Sequence, residues 1–147
     1  MTLVSGNHIK YQLTYHLQWC TKYRYRVLNR DVYRLDYENC IRNAARNHRI
    51  EIIELSVLPE HVHALVSAPP TMTVSQILQY LKGASSFEFF RMHSEMRLRY
   101  PKGHLVSPGK FARSVGDVDF KRTQDYVRNQ LQHHMVEKQQ MHLDKFF

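Results

Sequence analysis

Residues 50–67 read IEIIELSVLPEHVHALVS, and this stretch decides the fold. Two β-rich segments flank Pro59-Glu60, which predicts an antiparallel hairpin with its turn at that pair. Alternation along the second segment puts side chains on two faces: His61, His63, Leu65 and Ser67 on one, and Val62, Ala64 and Val66 on the other. Two imidazoles that project from neighbouring positions of one strand face can share a single ligand.

The sequence on either side of this hairpin predicts a β-α-β-β-α-β-α order. Before the hairpin, the sequence predicts an alternating strand over 9–23 and a helix over 30–48. After it, the sequence predicts a helix from the Thr73/Gln76 capping box to about 97 and a strand over 104–116 that is broken by Pro108-Gly109. A final helix is predicted over 118–140, with an apolar stripe of Val127, Leu131 and Met135 or His134. This order indicates an α+β, ferredoxin-like domain that spans residues 1–147. Its four-stranded antiparallel sheet carries two helices on one face, plus a C-terminal helix.

The composition favours a polyanionic partner. The chain has 147 residues, a formal net charge of +8, nine tyrosines and seven phenylalanines, so cations and stacking rings are both abundant. A basic surface without a specific partner is the alternative. No run of 18 apolar residues and no secretory h-region are present, and the two cysteines, Cys20 and Cys40, suit a reducing cytoplasm.

The histidine pair is a candidate metal site. His61 and His63 can both reach one divalent cation, and imidazole suits Mn²⁺ better than Mg²⁺. The alternative is a pair of half-buried histidines that bond their neighbours. In the final helix, Tyr126 and Gln130 are four residues apart and share a face, although a tyrosine at the core margin and a solvated glutamine would give the same spacing.

Together these residues indicate phosphoryl chemistry. A hydroxyl nucleophile needs an electrophilic phosphate and a cation that polarises its non-bridging oxygens. A tyrosine that attacks a phosphodiester forms a phosphotyrosine, which conserves the energy of the broken bond.

Four segments occur in an order that resembles a known family: YHLQWCTKYRYRVL (15–28), LPEHVHALVSAPP (58–70), LKGASS (81–86) and YVRNQ (126–130). They resemble the single-tyrosine HUH transposases of the insertion-sequence 200/605 type, over roughly residues 8–131. The resemblance implies a metal-dependent nuclease and strand transferase that acts on single-stranded DNA. It implies that His61, His63 and Gln130 bind Mg²⁺ or Mn²⁺ and that Tyr126 forms a 5′-phosphotyrosine.

The resemblance also implies partners and a location. We expect hairpins at the ends of a mobile element, a homodimer in which the tyrosine helix can act in trans, and a prokaryotic cytoplasmic protein that works at the nucleoid. Related sequences carry a tryptophan before the last helix, where this chain has Ser107 and Phe111 without one. A domesticated nickase, a non-catalytic module that binds single-stranded nucleic acid, and a zinc hydrolase remain as alternatives.

Several further residues are candidate DNA contacts or site neighbours. Lys22, Arg24 and Arg26 alternate with Tyr23 and Tyr25, which fits either a DNA-facing strand end or a solvated basic loop. Lys82-Gly83 would allow a phosphate to approach the backbone, or would mark a helix kink. Glu60 is expected to be a turn residue rather than a ligand. His16 is on the polar face of the first strand, where it can lie near the site, and is expected to face solvent or DNA rather than to bind the metal.

Overall fold

The main sheet has four antiparallel strands, and a separate two-stranded hairpin precedes it. The computed structural model describes residues 3–6, 9–11 and 13–132. The elements are β1 (Val4–Gly6), β2 (Ile9–Tyr11), β3 (Thr14–Thr21), α1 (Asp31–Asn47), β4 (Glu51–Val57), β5 (His61–Ser67), α2 (Val74–Met92), β6 (Val106–Ser114) and α3 (Asp117–Arg128), with 3₁₀ turns at Lys22–Arg24 and Ser94–Leu98. The main sheet has the order β4-β5-β3-β6, which confirms the predicted ferredoxin-like arrangement.

Helices α1 and α2 cover one face of this sheet, and the apolar face of β3 packs against them. Leu17 and Trp19 are buried there together with Val62 and Ala64 of β5. The indole nitrogen of Trp19 donates to the hydroxyl oxygen of Tyr37 at 3.2 Å, because a buried indole N–H needs an acceptor.

Helix α3 packs on the opposite face, which carries the histidines. Val127 of α3 is buried in a second apolar cluster with Leu65 and Val115. The Ser56 hydroxyl of β4 donates to the carbonyl oxygen of Val127. The alternation of β5 is therefore confirmed, since one face joins the main core and the other faces α3.

The predicted strand over 9–23 is wrong at both ends. Its first part is β2, which pairs with β1 in a separate sheet. The physical reason is the length of the neighbouring strand. Thr14 is already opposite Ser67, where β5 ends, and the pairing stops just beyond it, where the Ala68 N–H donates to the carbonyl oxygen of Leu13 at 3.2 Å. At the other end the chain leaves the sheet at Thr21 and enters a 3₁₀ turn.

Strand β6 runs through Pro108-Gly109 without the predicted break. The register shifts between Trp19, opposite Lys110, and Thr21, opposite Val106, so extra residues of β6 form an irregularity at that point. An edge-strand bulge tolerates a proline, because the missing N–H needs no ladder partner there.

The helix starts were predicted better than the helix ends. The Thr73/Gln76 capping box is present, with both reciprocal hydrogen bonds. Helix α2 ends at Met92, five residues early, where the His93 ring bonds Asp36 of α1 at 2.7 Å. Helix α3 ends at Arg128, and helix resumes over 130–132. The predicted stripe positions His134 and Met135 lie outside the described residues.

Among the helices in the described ranges, none combines the length and the apolar character needed to cross a membrane.

Candidate active site

Strand β5 presents His61 and His63 on the face that α3 covers. Their ring centroids are 5.0 Å apart, with the planes at 75°. The two rings therefore lie side by side, as the alternation predicts.

A carboxylate and a third histidine hold these two rings. The Nδ1 atom of His61 lies 3.1 Å from Oε1 of Glu60, at the hairpin turn. The Nδ1 atom of His63 lies 3.1 Å from Nε2 of His16, which projects from β3. Each ring is thus oriented through Nδ1. A cation bound by these histidines would have to use the other ring nitrogen, Nε2. A histidine that binds a metal is usually oriented in this way through its other nitrogen.

Burial favours the neutral form of His63 and of His16. His63 is 3% exposed, and burial, followed by the nearby His61 and His16 rings, lowers its pKa to about 3. Burial and the positive charge of Arg113 also lower the pKa of His16. Neutral imidazoles keep a lone pair, which metal binding requires.

His16 is the main departure from the sequence-based expectation. It does not face solvent; it is 8% exposed and stacks on His63, with ring centroids 5.4 Å apart. Its place opposite Leu65, beside His63, depends on the pairing of β3 with β5. Polar-face alternation alone does not give that register, so sequence reasoning missed the contact.

Tyr126 of α3 lies against the same histidines. Its ring centroid is 5.7 Å from that of His63 and 5.8 Å from that of His16, with edge-to-face geometry in both cases. The side chain is 49% exposed, so the phenol can be reached from outside. The helix therefore places a half-exposed hydroxyl-bearing ring beside His63 and His16 of its own chain.

Gln130 follows one turn after Tyr126 and is buried rather than solvated. Its amide nitrogen donates to the carbonyl oxygen of Tyr126 at 3.1 Å, and the residue is 9% exposed. The amide oxygen is the atom that a cation would use. Within the described ranges no group of three or more His, Cys, Asp and Glu side chains is arranged to hold a metal, so a site here would need this amide as well as the histidines.

The basic, tyrosine-rich segment after β3 is a turn rather than a strand end. Tyr23 and Arg24 have φ values of 61° and 52°, in the left-handed region that non-glycine residues rarely adopt. Tyr23 is nevertheless 63% exposed, and its ring stacks near that of Tyr100. The Tyr100 hydroxyl donates to the carbonyl oxygen of Lys22 at 3.0 Å and so fixes the turn. Strained backbone that presents an exposed aromatic ring is typical of a binding surface.

The other candidates lie around the edge strand β6. Phe111 is 45% exposed and contacts the His16 ring edge-to-face, at 5.6 Å between centroids. The Lys82 ammonium group donates to the carbonyl oxygen of Ser107 at 2.8 Å and ties α2 to β6. Helix α2 is continuous through Gly83.

Comparison with known proteins gives a consistent result. The family described as "Transposase IS200 like" matches residues 9–130. The ISDra2 transposase of Deinococcus radiodurans is 32% identical over 130 residues, which are 88% of this chain and 92% of that protein. The IS200 transposase of Salmonella typhimurium is 26% identical over 85% of this chain and 81% of its own length.

Two solved structures share the fold. A crystal structure of a Deinococcus radiodurans protein identified as a transposase aligns with a TM-score of 0.70 and 31% identity, covering 86% of this chain and 97% of that one. A tyrosine transposase associated with REP sequences, solved with a REP hairpin, aligns with a TM-score of 0.61 and 17% identity, covering 89% of this chain and 74% of that one.

Proposed function

Because the chain belongs to the IS200-like transposase family of DNA-cleaving and strand-transferring enzymes, we propose that it cuts and rejoins single-stranded DNA through a covalent link to Tyr126. The observation that carries this proposal is the position of Tyr126. Its half-exposed ring lies beside His63 on the face of the sheet that α3 covers.

In the proposed reaction the phenol oxygen of Tyr126 attacks the phosphorus of a phosphodiester. The new bond joins the tyrosine oxygen to phosphorus, and the bond between phosphorus and the 3′ oxygen breaks. The leaving 3′ oxygen takes up a proton in place of the one that the phenol loses. The 5′ phosphate of the downstream segment stays on Tyr126, and the free 3′-OH of the upstream segment can later attack a second phosphotyrosine and rejoin DNA.

The donor set fits a divalent cation such as Mg²⁺ or Mn²⁺. His61 and His63 would hold it through Nε2 and Gln130 through its amide oxygen, and a bound cation would polarise the scissile phosphate. In this scheme the Nδ1–H group of His61 donates a hydrogen bond to Glu60, and that of His63 donates one to Nε2 of His16, so that both rings are oriented. In this scheme His16 must itself be neutral, with its own proton on Nδ1.

Substitution of His16 tests this scheme. We expect His16→Phe, which fills the space but accepts no hydrogen bond, to weaken Mn²⁺ binding by about tenfold or more. We expect His16→Gln to restore most of the affinity, because its amide can take the place of Nε2. Titration of Mn²⁺ followed by electron paramagnetic resonance measures both, and melting temperatures show whether the fold is kept. Equal affinities in the wild-type protein and His16→Phe would exclude the orienting role.

The turn after β3 is proposed to contact the DNA. The Lys22 ammonium group lies 5.6 Å from the ring centroid of Tyr23, an exposed ring on which a base can stack. Arg24 and Arg26 add further charges in the same segment. We expect Arg24→Gln and Arg26→Gln each to reduce the slope of log affinity against log salt by about 0.7, the value for one phosphate of a single strand. Fluorescence anisotropy across a salt series measures the slope. An unchanged slope would show that the turn is a solvated loop.

Hairpin recognition and a homodimer complete the proposal. A structural neighbour bound to a REP hairpin supports the first, with similarity limited to the fold. In the proposed homodimer the tyrosine helix can act in trans. In the single chain, α3 docks on its own sheet.

A covalent-trapping assay tests the function. The protein is incubated with hairpin-bearing single strands, labelled on either side of the cleavage point, and with Mg²⁺ or Mn²⁺. A denaturing gel should show a protein band that keeps only the label of the 3′ segment, whose 5′ phosphate Tyr126 carries. Hairpin binding without any covalent band would instead favour the non-catalytic binding module.

A further inference from the structure

Helix α2 has a glycine in its middle that packing within this chain does not require. Gly83 is exposed, and a Cβ atom built on it would meet nothing within 4 Å. Glycine in an exposed helix interior is less favourable than alanine, because its backbone loses more freedom on folding. The described chain therefore carries a destabilising residue without an internal steric reason for it.

Gly83 opens onto a groove between α2, the second 3₁₀ turn and β6. The groove has a volume of about 610 Å³, and its positively charged lining residues are Lys82, Arg97 and Lys110. No aspartate or glutamate contributes to the lining among the residues that the structure describes. The surface around the open glycine is therefore basic and has no carboxylate of its own.

The two lysines face the same space. Both Lys82 and Lys110 line it, and burial, followed by the charge of Lys110, lowers the pKa of Lys82. Gln79 and Ser75 lie about one and two turns before Gly83 on the same side of α2, and both line the groove. Cations together with small polar side chains along an open helix face are suited to a sugar–phosphate backbone.

We propose that this α2–β6 groove binds the backbone of the DNA substrate, with the chain of phosphates passing directly over Gly83. The inference rests on the proposed function, since it places the same DNA on a second surface. A glycine at position 83 is explained if a phosphate group occupies the space that a larger side chain would fill.

The groove also connects with the active site. Lys110 and Val106 line it, and Lys110 lines a second groove of about 460 Å³ across β6, next to Phe111 and Arg24. Phe111 contacts His16, which contacts Tyr126. Because β6 is an edge strand of the main sheet, DNA held over Gly83 can cross it at Lys110 and reach the tyrosine.

Gly83→Ala gives a test in which stability and binding change in opposite directions. We expect the melting temperature to rise by about 2 °C, because alanine favours the helix. We expect affinity for a fluorescein-labelled DNA hairpin with a single-stranded extension to fall by about three- to tenfold, because the methyl group blocks a phosphate contact. Lys110→Gln should reduce the salt slope by about 0.7–0.9. Arg46→Gln, an exposed charge on α1, is the matched control and should leave affinity and slope unchanged.

The outcomes separate this inference from the proposed function. Wild-type affinity in both Gly83→Ala and Lys110→Gln, with covalent trapping intact, would overturn the groove and leave the function standing. The groove would also be overturned if Gly83→Ala changed the oligomeric state in size-exclusion chromatography and left DNA affinity unchanged, because a second copy of the chain would then occupy it. If wild-type protein forms no covalent adduct while the groove variants weaken binding, the function fails and the groove stands.

Discussion

Tyr126→Phe should abolish both strand cleavage and the covalent protein–DNA adduct, lowering cleavage by at least about 10⁴-fold. The substitution removes only the oxygen that would attack phosphorus. The ring keeps its contacts with His16 and His63, so we expect the melting temperature and hairpin affinity to stay close to wild type. Quantified denaturing gels measure cleavage, and anisotropy measures binding.

Tyr33→Phe is the matched control for this experiment. It removes a tyrosine hydroxyl from α1, where the group bonds Glu95 rather than any residue of the candidate site. Cleavage at the wild-type rate is expected. If Tyr126→Phe still cuts and still forms the adduct, the nucleophile is a different group.

Replacing both His61 and His63 by alanine should reduce cleavage by about 10³-fold or more, because several kcal/mol of stabilisation at the phosphate would be lost with the cation. We also expect the loss of specific Mn²⁺ binding, which does not depend on turnover. The fold should persist, since these rings lie on the α3 face of the sheet and the main core is on the other.

His48→Gln is the control for the histidine pair. This ring stacks on Tyr80 at 4.0 Å, away from the candidate site, and its replacement should change neither Mn²⁺ binding nor cleavage. A double variant that still cuts in Mg²⁺ would show that the two histidines are structural.

The sequence was sufficient for the fold class because two local signals were strong. Alternation in β5 separates the histidines from Val62, and the Thr73/Gln76 box fixes the start of α2. Element ends were predicted less well, because contacts distant in sequence set them. The His93–Asp36 bond at the end of α2 joins residues 57 positions apart.

In the candidate site, too, the local features were predicted from the sequence and the contacts between distant segments were not. Spacing alone was sufficient to predict that His61 lies next to His63 and that Tyr126 lies next to Gln130. The docking of α3 over the histidines depends on Val127 packing with Leu65, and the role of His16 depends on strand register. Neither contact leaves a local pattern, so only the three-dimensional arrangement could show that His16, His63 and Tyr126 meet.

The most direct test of the central claim is mass spectrometry of the trapped adduct after nuclease and trypsin digestion. Cleavage after Arg122 and Arg128 releases the peptide TQDYVR, which contains Tyr126 as its only tyrosine. The account predicts that this peptide carries the residual nucleotide through the tyrosine oxygen. A nucleotide on any other peptide, or an adduct that survives in Tyr126→Phe, would contradict it.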